Sequence, residues 1–335
     1  MVRRNLILVL LVATLPGCNA AQQAEPEPGP VVDLSPAALS VSQQDSLDQA
    51  QAAKDAGDYE EALALFREIL ADNPVATDAL VGIGDVYLAE GLWDRAEPAF
   101  ARAAKLEPRN FDAQYGHGVT LQMLDRFVEA VRAYHRALTI DPDSLGANLN
   151  LATTYLQMGR PKSALVFAQR GADLSEGTAP PHITLAATLQ LLGNGEAALE
   201  QYITAAELME QPSPQLMENI IYLLSQQRRY LEVANAARQL IRIDPTTESW
   251  ERLGWAEFRL GNYGESSKAY RTAVQFEERN WRALNGVGVT ALNTWLLSDK
   301  QDFDAHQDAR SAFRNSLSIN PDQPKVITLL LRYNL

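Results

Sequence analysis

From residue 43 onward the sequence beats with a period of 34. A small residue is followed twelve positions later by alanine. Ala50 leads to Ala62, Gly84 to Ala96, Gly118 to Ala130, Ala152 to Ala164 and Ala186 to Ala198, and Gly254 leads to Ser266. Four places beyond the alanine stands an aromatic residue, as Phe66, Phe100, Tyr134, Tyr202 and Tyr270, and three further on another small one, as Ala103, Ala137, Gly171, Ala205 and Ala273. Proline closes several units, at Pro74, Pro108, Pro142, Pro245 and Pro321. A chain built this way stacks one supersecondary unit on the next, because each unit exposes a face that only its neighbour can bury.

The unit is a helical hairpin. Two helices approach closely only where side chains are small, which places the Gly or Ala at positions 8 and 20 on the crossing. The aromatic at position 24 then fills the gap between consecutive hairpins. Proline cannot continue the second helix and so starts the next unit. The inner turns carry Gly57-Asp58-Tyr59, Gly91-Leu92-Trp93 and Gly261-Asn262-Tyr263, where glycine accepts a left-handed backbone.

This spacing resembles the tetratricopeptide repeat, and Trp250, Leu253 and Gly254 match that family's opening W-x-x-L-G. The resemblance implies an all-α fold, a right-handed α-α superhelix of about eight hairpins. The units run over 43–76, 77–110, 111–144, 145–178, 179–212, 213–246, 247–280 and 281–323. Unit 4 lacks the aromatic, with Ala168 in its place. Unit 6 slips by one residue and puts Val233 where alanine belongs. Unit 7 has Glu257 where tyrosine or leucine is usual. In unit 8 the step from Gly288 to Ala309 is 21 rather than 12, so nine residues are inserted around Thr294–Asp302. Residues 324–335 form a last, capping helix with Val326, Leu329 and Leu330 on its apolar side.

In that family the first helix of each hairpin lines a concave face, with positions 2, 5, 9 and 12 towards the ligand. Position 5 holds Leu47, Val81, Tyr115, Leu149, Ile183, Met217, Glu251 and Asn285. Position 9 includes Asp85 and Trp255, and position 12 includes Leu156 and Phe258. The resulting trough is apolar, with acids Asp78, Asp85 and Asp112 near its N-terminal end. Val81, Asp85, Tyr115, Leu149, Leu156, Trp255 and Phe258 are the candidate partner-binding residues. Chaperone-docking members grip a C-terminal carboxylate with lysine at 5 and asparagine at 9, a pair no unit here has. The trough suits an apolar or basic extended segment of a protein partner.

The first residues read as an address. Arg3 and Arg4 give a positive start, and Leu6 to Ala13 an apolar run too short to span a bilayer. Leu15-Pro16-Gly17-Cys18 resembles the lipobox of bacterial lipoproteins. That resemblance implies cleavage after Gly17, a lipid on the Cys18 thiol, and a protein held on a membrane and facing the periplasm or the cell exterior. Asn19, where aspartate would favour retention at the inner membrane, points to the outer membrane of a two-membrane bacterium. Cys18 is the chain's one cysteine, so no internal disulfide is open to it. Residues 19–42, with Pro26, Pro28, Pro30 and Pro36 among polar residues, read as a disordered tether reaching roughly 25–30 Å.

Function follows by exclusion and by resemblance. The formal net charge is −13, and cleavage after Gly17 removes Arg3 and Arg4 without an acid, leaving −15. Such a surface repels nucleic acid and anionic headgroups. His117, His135, His182 and His306 fit no metal-binding spacing, and the sequence has no P-loop, nucleophile elbow or dinucleotide fingerprint. Gly82-Ile83-Gly84 and Gly286-Val287-Gly288 fall inside first helices, where glycine serves packing. No catalytic residue, metal, cofactor or small-molecule substrate is expected. The expectation is a non-enzymatic scaffold of a cell-envelope complex, of the pilus, secretion or wall-machinery class. The alternative is an accessory subunit that recruits a wall or glycan enzyme.

Overall fold

The computed structural model describes residues 40–335, and Cys18, the leader and nearly all of the tether lie outside them. The described residues form helices joined by short turns, without a strand among them. In chain order the hairpins are α1 (Val41–Ala56) with α2 (Tyr59–Asp72), α3 (Thr77–Ala89) with α4 (Trp93–Leu106), α5 (Phe111–Met123) with α6 (Phe127–Ile140), and α7 (Leu145–Gln157) with α8 (Pro161–Leu174). They continue as α9 (Ala179–Leu191) with α10 (Gly195–Glu207), α11 (Pro214–Gln226) with α12 (Tyr230–Ile243), α13 (Thr247–Leu260) with α14 (Tyr263–Phe276), and α15 (Trp281–Leu297) with α16 (Phe303–Ile319). α17 (Pro324–Tyr333) ends the chain. Each helix packs on the next in sequence, so the fold is an all-α solenoid.

Local chemistry sets the boundaries. Asn110, Ser144, Ser213 and Asn280 accept a hydrogen bond from a backbone N–H of the first turn they precede, satisfying donors that a helix start leaves open. Gly57 and Gly261 end α1 and α13 in the left-handed region, at φ of 85° and 83°. Asp125 and Arg228 take the same conformation in the turns of units 3 and 6 without glycine's freedom.

In units 1 to 3, 7 and 8 the core holds aromatic rings set against glycines. Phe66, Phe100, Tyr134 and Phe313 are fully buried. Phe100 lies against Gly84 of its own hairpin and Gly116 of the next. Tyr270 is held in the same way between Gly254 and Gly286. A β-carbon on Gly84 would come within 2.6 Å of the Phe100 ring, and one on Gly288 within 2.6 Å of Phe313. These glycines therefore make room for an aromatic ring as well as for a crossing helix. Ala62, Ala96, Ala130, Ala164 and Ala198 are completely buried at the crossing itself.

Two departures shape the C-terminal half. The nine extra residues of unit 8 make no separate loop. The earlier first helices α3 to α11 have 13 residues, most second helices 14, and several inner turns three. α15 and α16 have 17 each, with a five-residue turn between. The insertion thus adds four residues to one helix, three to the other and two to the turn. The lengthened tip is closed by α17 through Trp295, which packs on His306 and Tyr333. In unit 6 the size pattern is inverted. Ile221 and Val233 stand where other units have small residues, Ala237 replaces the aromatic, and all three are buried. First helices touch their counterparts from α1 through α9 and again between α13 and α15, whereas α11 makes no comparable contact with α9 or α13.

Candidate functional site: the face of the first helices

The first helices present one shared face, and the candidate residues lie along it, all half-buried. At its N-terminal end Lys54 of α1 reaches Asp85 of α3 at 2.9 Å, so one acid of the trough is already paired. Asp78 is exposed, and its carboxyl is raised above the usual range by partial burial and by the neighbouring Glu107 and Asp112. Val81 packs beside Leu80, Ala103 and Ala113, which leaves it more a part of the inter-unit core than an open anchor.

Midway, Tyr115 ties two units together. Its ring stacks on Phe111 at 5.6 Å, and its hydroxyl accepts a hydrogen bond from Asn150 Nδ2 at 3.0 Å. Burial raises its pKa. Leu149 and Leu156 follow on α7. A recurrent link joins the core row to this face. Tyr134 donates to Gln122 at 2.8 Å and Tyr202 to Gln190 at 3.1 Å, each twelve residues back. Sequence reasoning missed this coupling, although tyrosine at 24 with glutamine at 12 is its visible signal.

In unit 7 position 12 is Phe258, and Tyr270 has no such acceptor among the described residues. Its ring instead lines two adjoining hollows of about 470 and 340 Å3, which share Trp255, Tyr270 and Arg282. The larger is completed by Ile221, Ser225, Val233, Glu248, Glu251 and Arg252. Phe258 lines the smaller one and meets Tyr263 edge-on at 5.4 Å. Trp255 packs edge-on against Tyr230 of α12 at 5.4 Å and against the core of units 5 to 7. It therefore serves both the core and the hollow. The opening exists because α11 and α13 stand apart. A larger cleft of about 740 Å3 lies elsewhere, between the second helices α10 and α12.

The charges around the larger hollow are unevenly paired. Arg252 meets Glu218 of α11 at 3.3 Å. Arg282 lies over the Trp281 ring at 5.0 Å. Glu251 has one carboxylate oxygen shut off from water without a hydrogen-bond partner. Desolvation, with Glu248 and Glu277 adding to it, raises its pKa against the opposing pull of Arg282 and Arg252. The unusual Glu257 faces away from this problem. It is 1 % exposed, paired with Arg238, and accepts from Asn262 Nδ2 at 2.7 Å.

The histidines are spread through packing sites. His117 faces Glu97 at 3.5 Å, with its pKa lowered by burial. His135 packs on Tyr155 and Phe167, and His182 bonds Ser175 and Gln201. Among the described residues no group of three His, Cys, Asp or Glu is placed to hold a metal ion, and no helix is long and apolar enough to cross a membrane.

Comparison with known proteins agrees with this geometry. Family models described as tetratricopeptide repeat match residues 47–96 and 83–145, 121–173, and 247–280. The chain carries tetratricopeptide repeats. Among solved tetratricopeptide-like structures, that of pilF from Pseudomonas aeruginosa is 20% identical. It covers 61% of this chain and 92% of its own, with a TM-score of 0.54. A tetratricopeptide repeat protein from Parabacteroides merdae is 14% identical, covering 74% of this chain and 98% of its own at a TM-score of 0.50. These likenesses concern the fold. The RNA polymerase-associated protein CTR9 of Caenorhabditis elegans is 37% identical over 65 residues, which are 19% of this chain and 6% of that protein's length. Proteins with tetratricopeptide repeats generally serve protein–protein association.

Proposed function

We propose that the protein is a non-enzymatic scaffold of a bacterial cell envelope, anchored by a lipid on Cys18 and binding a protein segment along the face of its first helices. The binding reading rests on one observation. That face keeps a row of half-buried side chains, from Tyr115 and Leu149 to Trp255 and Phe258, and opens into two hollows at units 6 to 8. Aromatic groups in such recesses are the usual anchors of an interface. The acidic surface and the acids at both ends of the face favour a basic or apolar partner over an acidic one.

The anchoring reading rests on Leu15-Pro16-Gly17-Cys18 after a positive and then apolar leader. Two or three acyl chains hold a protein firmly where one is marginal, and the tether would give the repeats reach. Mass spectrometry of the mature N-terminus tests it: a lipidated Cys18 is expected, and Cys18→Ser abolishes cleavage and anchoring. An unmodified thiol or a different N-terminus overturns the anchor. Co-purification of partners from detergent-solubilised envelopes tests the binding. Phe258→Ala and Leu149→Ala are expected to lose a partner that the unaltered chain retains, and full retention by both refutes the use of this face.

A further inference from the structure

The larger hollow between α11, α13 and α15 has a charge imbalance that its own residues leave unresolved, and a volume of about 470 Å3, within the range of ligand recesses. Four charged groups face Glu251. Glu248 and Arg252 lie on its own helix, Arg282 on α15, and Glu277 on the turn between α14 and α15. Arg252 is already engaged by Glu218 through one nitrogen, while its buried Nε has no partner. Of the charges lining the hollow, Glu248 and Glu251 then stand against Arg282, which is stacked on Trp281, and Glu277 adds negative charge from the nearby turn. One oxygen of Glu251 is excluded from water and accepts no hydrogen bond. A buried acceptor left in that state costs free energy, which a donor in the hollow recovers once the Glu251 carboxylate turns that oxygen outward. Trp255 and Tyr270 flank the same space.

Building on the reading of this face as the partner-binding surface, we infer that the hollow receives a lysine or arginine side chain of the bound protein segment. Its charged head donates to Glu251 beside Glu248, and its aliphatic stem lies against Trp255 and Tyr270. An acidic occupant would meet a net negative wall. A purely apolar one would leave the Glu251 oxygen unpaired in a drier site. A basic side chain satisfies both, and the aromatic faces add cation–π attraction. The raised pKa of Glu251 follows first from its desolvation and then from Glu248 and Glu277, which outweigh Arg282 and Arg252.

The test is selection of a random twelve-residue peptide library on the full-length chain, followed by anisotropy titrations of the selected peptides. Peptides carrying lysine or arginine next to an apolar residue are expected to be enriched. Replacing that basic residue by norleucine, or making Glu251→Gln in the protein, is expected to weaken binding at least tenfold. Affinity is expected to rise with pH as Glu251 ionises, and Glu251→Gln is expected to flatten that dependence, leaving only the smaller part that Glu248 contributes. Circular dichroism of Glu251→Gln checks that the fold is kept, and Glu248→Gln is a second, more exposed variant with a smaller loss in the same direction. Enriched peptides without a basic residue, or affinities indifferent to Glu251→Gln, overturn the inference. If such peptides are still weakened by Phe258→Ala, the partner-binding face stands. If no peptide is recovered, or if binding ignores Phe258→Ala as well, that face falls too.

Discussion

Adding one methyl group at Gly84 is the sharpest test of how the hairpins are held together. In an ordinary helix Gly→Ala is favourable by up to about 1 kcal/mol. Here the new β-carbon would lie 2.6, 2.7 and 2.8 Å from three atoms of the Phe100 ring, where ordinary contact begins near 3.4 Å. The closest approach is short by about 0.8 Å, the difference between those two distances. The ring has nowhere to go, because it is fully buried and rests on Gly116 on its other side. Overpacking of this kind costs about 1–3 kcal/mol, so Gly84→Ala should destabilise by up to about 2 kcal/mol after a helix gain of about 1 kcal/mol is subtracted. Gly264 is the control. It is exposed at the start of α14 and has no atom within 4 Å of an added β-carbon, so Gly264→Ala should stabilise by a few tenths of a kcal/mol, up to about 1. Urea unfolding followed by circular dichroism measures both, and amide exchange over α3 to α5 localises the first. Phe100→Leu in the Gly84→Ala background should cost less than the two single changes added together. If the two alanine substitutions shift stability in the same direction, the ring-between-glycines account is wrong.

Two further substitutions probe charges inside the solenoid. Glu257→Ala removes the acceptor of both Arg238 and Asn262 and should lower unfolding stability by about 2 kcal/mol, since bonds to charged groups are worth about 1.5–3 kcal/mol and the half-exposed Arg238 is partly screened; an unchanged urea midpoint would refute the role given to this pair. Glu251 titrates above its ordinary range in the fold, so the folded chain holds that proton more tightly and loses stability as pH rises through the window above the unfolded value. Glu251→Gln should therefore be more stable than the unaltered protein at neutral pH, with the gap closing as pH falls towards 4, and a gap that widens on acidification would contradict the sign.

The period of 34 and the small–alanine–aromatic beat were enough to read the hairpins, because both express crossings that recur in every unit. What lay beyond the sequence was pairing. Spacing marks Gly82 and Gly84 as small, but it does not say that Phe66 occupies the space above one and Phe100 the space above the other. Nor does it say that Glu257 is affordable because Arg238, nineteen residues earlier, reaches it. The interrupted beat located the insertion in unit 8 around Thr294–Asp302 but did not say what form it takes. Helix can lengthen at both sides of a turn without disturbing the positions that cross, and α15 and α16 did so. At the candidate site, the family resemblance singled out the row on the first helices. It did not single out the hollow, because that depends on α11 standing apart from α13, a tertiary arrangement that the 34-residue spacing does not encode.

The most direct test of the scaffold account is site-specific photocrosslinking in living cells. A photoreactive phenylalanine analogue would be placed in turn at Leu149 and Phe258 on the first-helix face, and at Val128, Val166 and Leu231, which are exposed on second helices. The account predicts protein adducts at the first two positions and none at the other three. Adducts confined to Val128, Val166 and Leu231 would contradict it and move the binding surface to the opposite helices.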